Sequence, residues 1–228
     1  MIILSPDEIA DVPLAWPVTA TRVLAEGKIV TFREDDIETP DGKSITREYI
    51  KHPGAVGIIA MDDEQRVVLV RQYRHPVRHR LVEPPAGLLD VDGEDYVVAA
   101  QRELAEEVGF GAKTWNVLVD IFSSPGIIGE TIRIYLARDL SEAAAPDDFL
   151  AEGEEAHMDI VWAPLADLTR AVLDGRVHNP TLVPGVLAAW SAWNLDGFAS
   201  LRPGDAPWPA RDAVLTAAGS DGYSEEPR

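Results

Sequence analysis

The sequence predicts an α/β domain preceded by a small antiparallel β unit, and three observations carry that prediction. Short β-prone runs at residues 18–24, 28–37 and 44–52 are separated by Glu26-Gly27 and by Thr39-Pro40-Asp41-Gly42, whose proline, aspartate and glycine are turn formers. A single amphipathic helix is announced from about Glu94 to Gly109, where Val97, Leu104 and Val108 recur at helical spacing. Beyond it, strand-like runs at 115–121, 131–137 and 158–162 are followed by helical patterns at 165–175 and 184–194, so strands and helices interleave.

With 228 residues the chain has length for one good-sized domain and an appendage. We divide it into a β unit at 1–52, a main domain at 53–195 and a partly ordered tail at 196–228, where Gly, Pro, Ala and acidic residues take over. Within that tail Trp208, between two prolines, is the residue expected to dock. Hydrophobic residues make up 46% and charged residues 26%, as in ordinary globular proteins, but the net charge is −19. Such a surface repels nucleic-acid backbones and anionic membranes, so neither is expected as a partner. The absence of cysteine excludes disulfides, thiolate catalysis and cysteine-ligated metal centres. No leader pattern opens the chain and no run is long enough to span a bilayer, so a cytoplasmic location is expected.

Residues 54–60 and 66–70 read as two strands joined at Asp62-Asp63-Glu64-Gln65, the second running into the basic stretch Arg71-Gln72-Tyr73-Arg74-His75-Pro76. Arginine presents a planar fork suited to phosphate, which makes Arg74 the first candidate for an anionic ligand, with Arg71, Arg78 and Arg80 read as solubilising charges. On the helix, Glu103 and Glu107 stand four apart and Glu106 three from Glu103, so three carboxylates crowd one side of its last two turns. Like charges at that spacing repel, and hard oxygen donors in such density suit Mg²⁺ or Mn²⁺. Proline and glycines shape a loop at 123–130, while 141–157 has the acidic, small-residue composition of a surface loop.

Taken with its spacing, the helix carries more than a charge cluster. Glu94, seven residues, Arg102-Glu103-Leu104, one residue, Glu106-Glu107, one residue, Gly109-Phe110 resembles the Nudix box, the signature of hydrolases that cleave nucleoside diphosphates linked to another group. Six fixed identities at roughly 7% each match by chance on the order of once in 10⁷ windows. One departure stands: Gly87 lies seven positions before Glu94, where the family has six, an insertion that the loop ahead of the helix can absorb.

The resemblance implies an α/β/α sandwich with a mixed sheet, and it covers about residues 17–190. It implies divalent cations, Mg²⁺ with Mn²⁺ as substitute, held by Glu103, Glu106, Glu107 and the carbonyl of Ala86, with Glu106 also among the catalytic carboxylates. Gln72-Tyr73-Arg74 and Glu83-Pro84-Pro85-Ala86-Gly87 are similar to segments of the ADP-ribose pyrophosphatase branch, which gives Arg74 and Glu83 as substrate contacts. In that branch a proline stands sixteen residues beyond the box glycine, as Pro125 does here beside Gly126, and an N-terminal sheet packs on the second subunit of a homodimer. There Arg47 and Glu48 correspond to residues that reach substrate across the dimer, and a loop glutamate before a strand, here Glu155 or its neighbour Glu154, acts on the attacking water. The implied reaction is hydrolysis of ADP-ribose to AMP and ribose 5-phosphate. Another sugar nucleotide or dinucleotide, such as GDP-mannose or NADH, and a non-catalytic ligand sensor stay open as alternatives.

Overall fold

The computed structural model describes residues 3–144 and 158–220, which fall into two compact units. The first comprises the residues up to His52, Gly126–Gly129 and the segment from Pro207 onward. Its centre is an antiparallel meander of β1 (Val18–Glu26), β2 (Thr31–Glu38) and β3 (Ser44–Lys51). The β2–β3 turn closes where Gly42 takes φ +77°, a conformation that side chains disfavour, and Thr39 accepts the Gly42 N–H at 2.8 Å. One face is polar: Arg22 of β1 bonds Glu34 and Asp36 of β2, and Thr46 of β3 donates to Asp36. Many apolar side chains of this unit are exposed, among them Ile9, Val12, Leu14, Val23, Leu24 and Ile29.

The composition of the C-terminal stretch predicts a tail, whereas the structure forms helix α4 (Pro209–Ser220) in the first unit. Trp208 at its start is buried, and the Arg211 guanidinium lies 5.5 Å from its ring. Proline at the first helical position and the alanines that follow explain the helix, since alanine has the highest intrinsic propensity.

The second unit holds a five-stranded sheet ordered β11 (Arg202–Pro203), β8 (Phe110–Phe122), β9 (Thr131–Glu142), β4 (Ala55–Ala60) and β7 (Ala86–Leu88). The β4–β9 pair is parallel and the rest antiparallel, so the sheet is mixed. A second sheet orders β10 (Asp159–Pro164), β5 (Arg66–Arg74) and β6 (His79–Glu83). One core cluster packs α1 (Tyr96–Val108) against β4, β5, β8 and β9; the other packs α2 (Leu165–Leu173) and α3 (Leu182–Asp196) against the opposite face. This is an α/β/α sandwich, and the near-continuous apolar runs of β4 and of β9 up to Ala137 reflect burial on both faces.

Several boundaries differ from the sequence expectation for physical reasons. Helix α1 starts at Tyr96, because Asp95 is extended at the N-cap, and leaves Glu94 in the preceding loop. That loop turns at Gly93, which has φ +76°. Strand β9 runs on through Ser141 and Glu142, which the composition had placed in a loop, because it stays paired with β8 as far as Phe110. Helix α3 begins at Leu182: Asn179 accepts the N–H groups of Thr181 and Leu182 at 2.9 and 2.8 Å, turning the Asn-Pro break into a helix start. Its buried stripe consists of small and medium residues, Leu182, Gly185, Val186, Ala189 and Ala192, while Trp193 is 41% exposed. At Gly185 a Cβ would stand 3.0 Å from Ile59, so close approach of helix and sheet selects glycine. On α2, Leu165, Leu168 and Ala171 are buried, whereas Leu173 is 69% exposed.

Candidate active site

The site is built where edge strand β7 meets the last turns of α1. Ala86 stands opposite Gly57 of β4 at a non-hydrogen-bonded position, since the neighbouring Pro85 carbonyl accepts from Ile58. Its N–H and C=O therefore turn away from β4. The N–H meets Glu107, donating to Oε2 at 3.0 Å. One residue on, a Cβ on Gly87 would collide with the Glu103 carboxylate. Any larger residue here would displace the Glu103 carboxylate from its place directly on the strand backbone. Both junctions come from sequence-distant parts, and α1 is fixed over the sheet by Ala99, Ala100, Leu104 and Val108, all buried.

Arg102 organises the remaining acids. Its Nη1 donates to Glu103 at 2.7 Å and to Glu106 at 3.1 Å, while Nε and Nη2 each reach Glu94 at 3.2 Å. Hydrogen bonding to Glu94, and the field of Glu103 and Glu106, raise the arginine pKa further and keep it charged. Three carboxylates share one guanidinium, and each of their side chains is only 14% exposed. Among the described residues no three acidic or imidazole side chains already converge as a cation cage. The donor set nevertheless fits a hard divalent cation: Glu107 and Glu103 lie against the Ala86 and Gly87 backbone, Glu106 shares Arg102 with Glu103, and a cation there would take over from Arg102 part of the neutralisation.

The hairpin of β5 and β6 carries the basic stretch. Arg74 grips Glu83, with Nε at 3.0 and 3.2 Å from its two oxygens and Nη2 at 2.7 Å from Oε2. Both residues share the face of their sheet that holds Val68 and Val70 against α1. Arg71 and Arg80 are not merely solubilising: both reach Asp159 Oδ2 at 2.6 Å and tie β10 to β5 and β6. The Arg71 hydrogen bond holds the Asp159 carboxyl below its usual pKa.

Pro125 and Gly126 lie in an exposed turn. Just after them, Ile50 of β3 donates to the Ile127 carbonyl at 2.8 Å and accepts from Gly129 N–H at 2.9 Å. Arg47 and Glu48 are adjacent on β3 and so project from opposite faces of that sheet, Arg47 in register with Asp35 and Glu48 with Glu34. Glu154 and Glu155 lie outside the described residues. Sequence reading assigned no role to the network in which Arg133 bonds Asp120 and the Ala206 carbonyl and Arg202 also bonds Asp120. The only local signal for it was a charged residue inside the apolar run of β9.

Comparison with known proteins agrees with this geometry. A family model described as the NUDIX domain matches residues 51–184. The chain is 44% identical over 198 residues to the ADP-ribose pyrophosphatase of Mycobacterium tuberculosis, covering 87% of this chain and 93% of that one. It is 33% identical over 160 residues to the ADP-ribose pyrophosphatase of Bacillus subtilis, covering 70% and 84% respectively. A solved structure titled as that of an ADP compounds hydrolase superposes with a TM-score of 0.68 at 23% identity, over 82% of this chain and 99% of the other, and so shares the fold. No helix among the described residues is long and apolar enough to cross a membrane. With the family model, the fold and the box on α1 in agreement, this chain belongs to the Nudix family.

Proposed function

We propose that this protein is an Mg²⁺-dependent ADP-ribose pyrophosphatase, hydrolysing ADP-ribose to AMP and ribose 5-phosphate. The observation that carries this reading is the seating of Glu103 and Glu107 on the Gly87 and Ala86 backbone, which gathers hard oxygen donors from two separate segments into one place. The substrate class follows from the relative that is 44% identical over nearly its whole length. Glu103, Glu106, Glu107 and the Ala86 carbonyl hold the cation, Mg²⁺ or in its place Mn²⁺. When bound, the ion supplies Lewis acidity to the pyrophosphate and acidity to the attacking water.

The chain's own residues do the rest. Arg102 keeps the box carboxylates oriented from behind, through the ion pairs it makes with Glu94, Glu103 and Glu106. Glu155, with Glu154 beside it, takes the proton of the attacking water, and Glu106 shares the catalytic role. Arg74 meets the anionic substrate, and Pro125 and Gly126 shape the loop that admits the ADP-ribose skeleton. Arg47 and Glu48 act from the second subunit of a homodimer, their opposite orientations on β3 giving each its own direction of approach. The exposed Val23, Leu24 and Ile29 of the N-terminal unit support that dimer as apolar surface to be covered. The cysteine-free composition is in keeping with a cytoplasmic location.

The test is product analysis of purified protein with ADP-ribose and excess Mg²⁺, beside the Glu107→Gln variant. AMP from the unmodified protein alone is the expected result. No AMP from either, with both folded, overturns the ADP-ribose reading, and GDP-mannose and NADH are then the substrates to assay.

A further inference from the structure

Glu83 and Arg74 are bonded to each other but placed very differently with respect to solvent. Glu83, on β6 opposite Val70, is 2% exposed, and both of its oxygens accept hydrogen bonds from Arg74. The Arg74 side chain is 43% exposed. A carboxylate bonded on both oxygens and closed off from solvent offers little to a ligand. A half-exposed arginine side chain on the α1 side of the same sheet offers a good deal.

The geometry points to Glu83 as a positioning residue: it fixes the plane of the guanidinium on the partly exposed Arg74 side chain, so that Arg74 meets the phosphate-bearing ligand in one orientation, an inference that rests on the ADP-ribose reading above. An arginine on an exposed hairpin samples many rotamers, and ordering it on binding weakens affinity. Here the ordering is already done. Nε and Nη2 together lock both the position and the tilt of the group, which a single hydrogen bond cannot do. Even a paired buried carboxylate adds little stability compared with an apolar residue of similar size, such as the neighbouring Leu81 and Val82. The pairing therefore matters for where it leaves Arg74. It also revises the role expected for Glu83 from substrate contact to support.

The experiment measures ADP-ribose affinity by calorimetry with the divalent cation chelated, so that binding is read without turnover, and KM and kcat with Mg²⁺ restored. Arg74→Met is expected to weaken binding about tenfold or more, the scale of hydrogen bonds to a charged group. Glu83→Leu should weaken it comparably and isosteric Glu83→Gln several-fold, appearing in KM more than in kcat. The double variant Arg74→Met with Glu83→Leu should bind no worse than Arg74→Met alone, because Glu83 acts only through Arg74. It should also melt higher than Arg74→Met, which strands a buried carboxylate.

Wild-type affinity in Glu83→Gln and Glu83→Leu would overturn the proposal, as would losses that multiply in the double variant, since they would make Glu83 a contact in its own right. If Arg74→Met does not fold, Glu83→Gln decides alone: undiminished affinity overturns the proposal and a several-fold loss sustains it. Wild-type protein that neither binds nor hydrolyses ADP-ribose defeats the functional reading itself, and that outcome is distinguishable because it needs no variant.

Discussion

Arg102 and Arg133 both lie on the α1 side of the main sheet, both are surrounded by acceptors, and they serve opposite ends. Arg102 is shared among Glu94, Glu103 and Glu106 and keeps 30% of its side chain exposed. Arg133 is 1% exposed, takes both oxygens of Asp120 at 2.8 and 3.1 Å, and donates to the Ala206 carbonyl at 2.6 Å. Arg202 adds a second cation to Asp120, so that carboxylate is shared by two arginines. In the first network acids outnumber the base, and in the second the bases outnumber the acid and one of them, Arg133, is tied to the main chain. A surplus of carboxylates over bases calls for a further cation, whereas a carboxylate held between two arginines, one of them buried and fixed to backbone, calls for nothing further and serves stability.

The largest effect that separates the two is on folding. Arg133→Met leaves Asp120 at a mostly buried position with one of its two arginines gone, and by analogy with broken buried pairs should cost about 3 kcal/mol of stability in urea denaturation. An unchanged midpoint would mean that Arg202 alone satisfies Asp120. Next comes Glu107→Gln, which should lower AMP release at least about a hundredfold, the scale seen when metal ligation is disturbed. Its melting temperature should stay close to wild type, because glutamine keeps an oxygen for the Ala86 N–H. A variant that instead unfolds would place Glu107 with the structural network.

The first network was legible in the sequence and the second was not. Helix periodicity and the spacing of Glu103, Glu106 and Glu107 are local properties, recorded within two turns, and the box resemblance supplied the strand backbone they would meet. The Arg133 network joins residues 13, 73 and 82 positions apart, and no local pattern encodes such pairings. The same limit explains α2 and α3. Size does not mark these inner faces: Leu173 and Trp193 are exposed, while close helix–sheet approach buries Ala171, Gly185 and Ala189, whose smallness carries no periodic hydrophobic signal. Strand β6 was missed because its His79 and Arg80 look like surface charge until β5 pairs with them.

A pH titration sharpens the buried side. Burial pushes the Tyr135 phenol, two residues along β9 from Arg133, up to about 12, with Arg133 opposing the shift. The folded pKa is above the unfolded value of about 10, so stability is intact below pH 10 and falls as pH rises through 10 to 12, when the unfolded chain has ionised and the folded one has not. The loss should approach about 2 kcal/mol. Tyr135→Phe should remove that part of the slope between pH 9.5 and 12 in denaturant titrations; an unaltered slope would assign it to other tyrosines or lysines.

The smallest effect concerns Arg102 itself. In the protein without cation, Arg102→Met removes the group that relieves repulsion among Glu94, Glu103 and Glu106, and should cost about 1 kcal/mol, as partly exposed ion pairs do. A divalent cation relieves the same repulsion, and in the unmodified protein it must first draw Glu103 and Glu106 away from Arg102. Saturating Mg²⁺ should therefore raise the melting temperature of Arg102→Met more than that of the wild type, measured against chelator controls, and should shift Arg133→Met no more than wild type. Equal shifts for Arg102→Met and wild type would show that arginine and cation do not compete for the same carboxylates, and that Arg102, like Arg133, serves structure alone.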